Sequence, residues 1–165
     1  MTVLVDGYNL YFTGLNAGGR GKDMQRVRQR VVEALDTYRG NRSIRIVIFF
    51  DGGAAGSHMP RTQHERAMEI RFSDPGRKAD ADIMQAVSRA PEPAEVRVVT
   101  SDLEIKRFVE RLGAMVISSE DFAEELMRVF RKEAAATRGE PPEKYDRPVG
   151  KDEVDYWLRI FGQDM

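Results

Sequence analysis

Three short apolar runs in this chain each end in an aspartate: Thr2-Val3-Leu4-Val5 into Asp6, Ile46-Val47-Ile48-Phe49-Phe50 into Asp51, and Val96-Arg97-Val98-Val99-Thr100-Ser101 into Asp102. β-Branched runs of that length read as strands buried on both faces, and a parallel sheet delivers the carboxyl end of every strand to one edge. That edge would gather carboxylates. Because like charges repel, such a cluster is costly unless a cation neutralises it, which points to a divalent metal acting on phosphate.

The remaining pattern places helices between these strands. Met24, Val27, Val31, Leu35 and Tyr38 recur near the helical period, with Arg26, Arg28 and Arg30 off that stripe. The glycine-bearing stretch from Gly14 to Gly21 reads as a loop before this helix. Gly52 to Arg66 reads as a long polar surface loop, followed by a strand at Met68 to Phe72 and a turn at Ser73-Asp74-Pro75-Gly76. A helix from about Asp80 to Ala90, the strand Glu95 to Thr100, a helix marked by Ile105, Phe108, Val109 and Leu112, a strand at Ala114 to Ile117 and a helix carrying Phe122, Leu126, Val129 and Phe130 complete the series. Such alternation predicts an α/β sandwich with right-handed crossovers, in which ligands bind at the carboxyl edge of the sheet. Residues 1–136 then form one domain. Residues 137–165 read as a proline- and charge-rich linker and an amphipathic helix, with Val154, Trp157, Leu158 and Phe161 docking it back on the domain.

A chain of 165 residues can bury a core without disulfides. It has no cysteine, which excludes a thiol nucleophile and a thiolate zinc site. No apolar run reaches membrane-spanning length and no basic leader precedes the first strand, so a soluble, unexported, cytoplasmic protein is expected. The formal net charge is only −1, yet residues 1 to 50 hold eight Lys or Arg against four Asp or Glu, while residues 112 to 165 hold eight against twelve. A local basic patch can guide a polyanion even on a neutral molecule.

Asp80 lies three, four and seven residues before Ile83, Met84 and Val87, so on a helix it shares the face that packs on the sheet, whereas Asp82 does not. An acid at a helix start is also an ordinary dipole partner. Asp102 is similarly double: Ser101-Asp102-Leu103-Glu104 fits a capping box with Ser101 as N-cap, while Asp102 precedes Ile105 and Val109 by three and seven residues and points inward. Ser101 could also orient a ligand through its hydroxyl. Asp6-Gly7-Tyr8-Asn9 sets a neutral amide three residues after an acid, suited either to capping a turn or to holding a water or phosphate where another carboxylate would repel it.

Val5-Asp6-Gly7-Tyr8-Asn9, Val47-Ile48-Phe49-Phe50-Asp51-Gly52, Lys78-Ala79-Asp80-Ala81-Asp82-Ile83 and Val99-Thr100-Ser101-Asp102, in that order, resemble the NYN branch of the PIN-like nucleases, and within it the bacterial YacP-like proteins. Ser118-Ser119-Glu120-Asp121-Phe122 and Val154-Asp155-Tyr156-Trp157-Leu158 look similar as well. The resemblance implies a PIN-like sandwich with strand order 3-2-1-4-5 and cleavage of RNA dependent on Mg2+ or Mn2+. It makes Asp6, Asp80 and Asp102 metal ligands supported by Asn9, with Asp51 and Asp82 as further candidates. It also implies that cleavage by in-line attack leaves a 5′-phosphate and a 3′-hydroxyl. Messenger RNA and ribosome-associated RNA are the candidate substrates.

RNA requires phosphate contacts beside such a site. Arg20 and Lys22 before the first long helix, Arg77 and Lys78 before Asp80, and Lys106 one turn past Asp102 are nearest by this topology, with Ser101. Tyr8, Tyr11 and Phe12 are candidates for stacking bases, core packing competing most for Phe12. His58 and His64 fall in the long loop and receive no catalytic role. The rival from another class is an NYN-fold module that binds RNA or ribosomes without turnover. Asp6-Gly7-Tyr8 lacks the second aspartate of a haloacid-dehalogenase loop, and Gly14 to Gly21 offers no GxGxxG for a dinucleotide. The sequence leaves the oligomeric state open.

Overall fold

β-Branched and aromatic side chains fill β1 (Thr2–Asp6) and β2 (Arg45–Phe50), and burial of nearly every residue on both faces marks them as the centre of the sheet. The computed structural model describes residues 1–15, 23–52 and 61–139. Around β1 and β2 lie β3 (Thr62–Glu65), β4 (Met68–Phe72), β5 (Val96–Val99) and β6 (Met115–Ile117), in the order β3-β4-β2-β1-β5-β6. Every pairing is parallel except β3 with β4. The helices are a short turn α1 (Gly7–Asn9), which continues as a π-helical turn over Leu10–Gly14, then α2 (Met24–Arg39), α3 (Asp80–Ser88), α4 (Leu103–Arg111) and α5 (Ser119–Arg138).

The two-residue period of each strand sorts the apolar side chains into two cores. Val3, Val5, Ile46, Ile48 and Phe50 pack with Val31 and Leu35 of α2 and with Phe122 and Phe130 of α5. Leu4, Val47, Phe49 and Val98 face Ile83 and Val87 of α3 and Ile105 and Val109 of α4. The molecule is therefore a three-layer sandwich. Continued past the strand ends, the same alternation sends Asp6, Asp51 and Thr100 to the α3/α4 side of the carboxyl edge.

The five expected strands hold the order 3-2-1-4-5, and the structure adds a sixth at the outer edge. The segment read as a loop from Gly52 to Arg66 contains β3, which pairs back on β4 through Arg66-Ala67. Both turn residues have positive φ, 51° at Arg66 and 62° at Ala67, a conformation for which hairpins ordinarily use Asn-Gly. The hairpin was illegible because its turn carries no turn residue. Ala67→Gly should relieve left-handed strain and raise stability by about 1 kcal/mol, measurable by urea denaturation; no gain in midpoint would show that the strain is absent.

Of the loop expected from Gly14 to Gly21, Gly14 closes the π-helical turn, while residues 16–22 lie outside the described residues. At the other end α5 runs to Arg138 and stops at Gly139, whose φ of 70° is the left-handed cap that glycine tolerates. The expected boundary after residue 136 thus falls within the last turn of α5. The tail helix expected around Val154, Trp157, Leu158 and Phe161 lies outside the described residues. Among the described residues no helix is long and apolar enough to cross a membrane.

Candidate active site

Four acids meet at the carboxyl edge, each delivered by a different element. Asp6 ends β1 and is only 9% exposed. Thr100 Oγ1 donates to its Oδ2 at 3.3 Å, and the Asn9 backbone N–H adds a second bond. Burial, reinforced by the charges of Asp80 and Asp51, nevertheless pushes the Asp6 carboxyl up to about 7. The hydrogen bonds oppose this shift without cancelling it. Asp80 opens α3, and its pKa is also raised, by burial and by the charges of Asp102 and Asp51, with Lys78 pulling it back.

Asp51 and Asp102 do double duty. Asp51 Oδ1 accepts the Ala79 N–H at 2.7 Å and so ties the end of β2 to the start of α3. Asp102 is itself the N-cap of α4, its Oδ1 accepting from Glu104 N at 2.8 Å and Ile105 N at 3.2 Å. This corrects the capping box expected at Ser101. A cap uses one carboxylate oxygen, and the other oxygen of Asp51 and of Asp102 meets no donor among the described residues.

Asn9 does not cap the turn after β1, since it sits within the helical run and its side chain reaches across the edge. Its Oδ1 accepts from Ser101 N at 2.9 Å and from Ser119 Oγ at 2.6 Å. Ser101 Oγ in turn donates to Glu120 and accepts from Ser119 N at 3.0 Å. One amide therefore locks the end of β5 to the start of α5 beside the acids. Gly7 permits the tight exit from β1, because a Cβ there would overlap the ring of Phe50.

Sequence reasoning missed Thr100, Ser119 and Glu120 as members of this network. The signal for Thr100 was available, since it keeps the strand parity of Val98 and so faces Asp6. Ser119 and Glu120 open α5 directly after the carboxyl end of β6, with Ser118 as N-cap, which brings them to the same edge.

Asp82 stands apart. Its Oδ2 accepts from Ser73 Oγ at 2.5 Å, and it lines a cleft of about 880 Å³ between α3 and the β2–β4 surface, so it does not replace Asp80. The helix register explains the difference: two residues on, a side chain points some 200° away. That cleft also holds Arg45, Arg61, Arg71 and Arg77, of which the first and third pair with Glu69 and the other two with Asp74. Arg77, a candidate phosphate contact, is thus paired with Asp74 at 3.5 Å. Lys78 and Lys106 are exposed, whereas Arg20 and Lys22 lie outside the described residues. Exposed His64 is in β3, away from the acids, and His58 lies outside the described residues.

A mainly parallel sheet of this order, with carboxylates at its carboxyl edge, defines a PIN-like nuclease fold. The chain belongs to the YacP-like NYN domain family, whose model matches residues 3–161. Crystal structures of Rae1 (YacP) from Bacillus subtilis and of a tryptophan-to-leucine variant of it superpose with TM-scores of 0.68 and 0.67, at 20% and 19% identity. The alignments cover 98% and 96% of this chain and 92% of each of those chains. At that identity the likeness is one of fold. No curated protein sequence matches.

Proposed function

We propose that this protein is a divalent-metal-dependent endoribonuclease that hydrolyses RNA phosphodiester bonds. The observation that carries the reading is the Asp6 carboxyl, buried among like charges and pushed to about 7. A buried acid beside two others is an expensive arrangement that a bound cation would relieve. Family membership supports a ribonuclease-type function, and PIN-like nucleases generally use divalent metals.

The donor set fits a hard cation, because it offers carboxylate oxygens and neither thiolate nor imidazole. Among the described residues no group of three or more His, Asp or Glu side chains is placed to hold a metal ion by itself. Magnesium or manganese would be held there by one or two carboxylates together with its own waters. Of Asp6, Asp80 and Asp102, one or two would bind the ion directly and the rest through its waters, with Asp51 fixing the start of α3 and lending charge. Once bound, such an ion supplies an activated water and neutralises charge on the phosphate. Asn9 keeps Ser101 and Ser119 in register beside the acids, and Lys78 and Lys106 offer charge to flanking phosphates.

A proton on Asp6 competes with the metal, so the sign of the pH dependence follows directly. Apparent Mn2+ affinity should tighten by up to about tenfold per pH unit below 7 and level off above it, as read by isothermal titration. Affinity flat from pH 5.5 to 8 would remove Asp6 from the ligand set.

The direct test is incubation of wild type and Asp6→Asn with a pool of structured and unstructured RNAs, with manganese or with chelator, and mapping of the cut ends. Metal-dependent cuts bearing 5′-phosphates, absent in the variant, are expected. Equal inactivity of both proteins, on free RNA and on translating ribosomes, with RNA or ribosome binding retained, would instead favour a binding module.

A further inference from the structure

The carboxyl edge carries aromatic rings on its α2 side as well as acids on its α3/α4 side. Tyr8 follows Asp6 by two residues, and its ring lies 4.9 Å from that of buried Phe50, the residue before Asp51. Phe50 stacks in turn on Phe72 at 5.7 Å and 26°. Arg28 of α2 donates to the Tyr8 hydroxyl at 3.0 Å, and its guanidinium carbon stands 5.7 Å from the Phe72 ring centre. Tyr8 is therefore braced at both ends.

One turn further, the side chains divide in an unexpected way. Tyr11 is buried at 1% exposure, while Phe12 is 37% exposed, the reverse of the core role that its greater hydrophobicity suggests. The Phe12 ring sits 6.4 Å from Tyr8 and edge-on to Tyr11 at 5.1 Å. Tyr11 and Phe12 lie on the π-helical turn that follows Asn9, a helix type that is rare and often found at functional sites, and Tyr8 lies on the short α1 just before it. An exposed phenyl ring and a braced tyrosine with a guanidinium beside them match what proteins present to an unstacked base, whose face any aromatic ring can cover.

We infer that Tyr8 and Phe12 form a stacking subsite for an unpaired nucleobase of an RNA bound at this edge. The inference rests on the RNA-cleaving reading for the identity of the ligand. A base held in a duplex has both faces covered by its neighbours and cannot use the subsite. Arg28 braces the Tyr8 hydroxyl and adds positive charge near the strand.

The test uses the full chain in chelator, so that binding is read without turnover. The probe is a short single-stranded RNA with 2-aminopurine at each position in turn, and its fluorescence is titrated with wild type, Phe12→Ala, Phe12→Leu, Phe12→Trp and, as a control at a distant exposed apolar site, Met115→Ala. Wild type, Phe12→Trp and Met115→Ala should quench one position strongly. Phe12→Ala and Phe12→Leu should bind about 5- to 100-fold more weakly and lose the quench, the leucine keeping the bulk without the π-face. An abasic site at the quenched position should weaken wild type, Phe12→Trp and Met115→Ala, but not Phe12→Ala or Phe12→Leu. Binding and quenching by both Phe12→Ala and Phe12→Leu equal to wild type would overturn the inference, even if metal-dependent cleavage is intact. A Phe12-dependent quench without any metal-dependent cleavage would support the subsite while removing the nuclease reading.

Discussion

Asp6→Asn is expected to lower metal-dependent RNA cleavage by about 1,000-fold, which corresponds to roughly 4 kcal/mol of barrier, while making the metal-free protein more stable. The two effects have one cause. Asparagine retains an oxygen to accept from Thr100 Oγ1 and the Asn9 N–H, but it carries no charge to be buried beside Asp51 and Asp80. In the wild type, the Asp6 pKa is raised from 3.8 to about 7 on folding. Between those values the native state binds the extra proton, so stability falls as pH rises through the window and the full cost is present above about 7. At 1.36 kcal/mol per unit that cost is about 4 kcal/mol, most of which the asparagine should recover. Urea melts of both proteins in chelator at pH 5 and pH 8 provide the check. The variant should gain clearly more at pH 8 than at pH 5; an equal difference at both would mean that Asp6 is not held charged at a cost. Added manganese should narrow the gap at pH 8 by stabilising only the wild type.

Gly52→Ala should cost about 3 kcal/mol and lower Tm by roughly 6 to 12 °C, with cleavage falling in step. Gly52 follows Asp51 at the end of β2, where its N–H donates to the Arg77 carbonyl at 2.9 Å. A Cβ at this position would overlap the Asp74 carbonyl, which is backbone and cannot rotate aside. Relief requires the segment entering α3 to move away from β2. That movement pulls on the bond from Ala79 N to Asp51 Oδ1 and carries Asp80 with it. Thermal unfolding gives the stability, and cleavage measured well below the melt separates a displaced Asp80 from simple unfolding. A Tm within about 2 °C of wild type would show that the turn yields freely.

Much of this arrangement was written locally. The runs ending in Asp6, Asp51 and Asp102 became β1, β2 and the end of β5 because β-branched residues with no polar break have few other stable placements. Asp80 reached the edge because its spacing to Ile83 and Val87 ties it to the buried face of α3, and the same rotation sent Asp82 to Ser73. The edge strand β3 was hidden, since half-exposed edge residues have no apolar alternation to reveal them and Arg66-Ala67 carries no turn signature.

What the chain by itself determined is the class of sheet and the identity of the acids, because hydrophobic period and strand polarity act over a few residues. The partnerships among the site residues were decided only by the tertiary structure. Asn9 meets Ser119 across 110 positions and Thr100 meets Asp6 across 94, distances along the chain that no local pattern encodes. The exchange of roles between Tyr11 and Phe12 has the same origin: the π-helical turn sets which ring faces the α2/α5 core, and that turn is shaped by packing against α5.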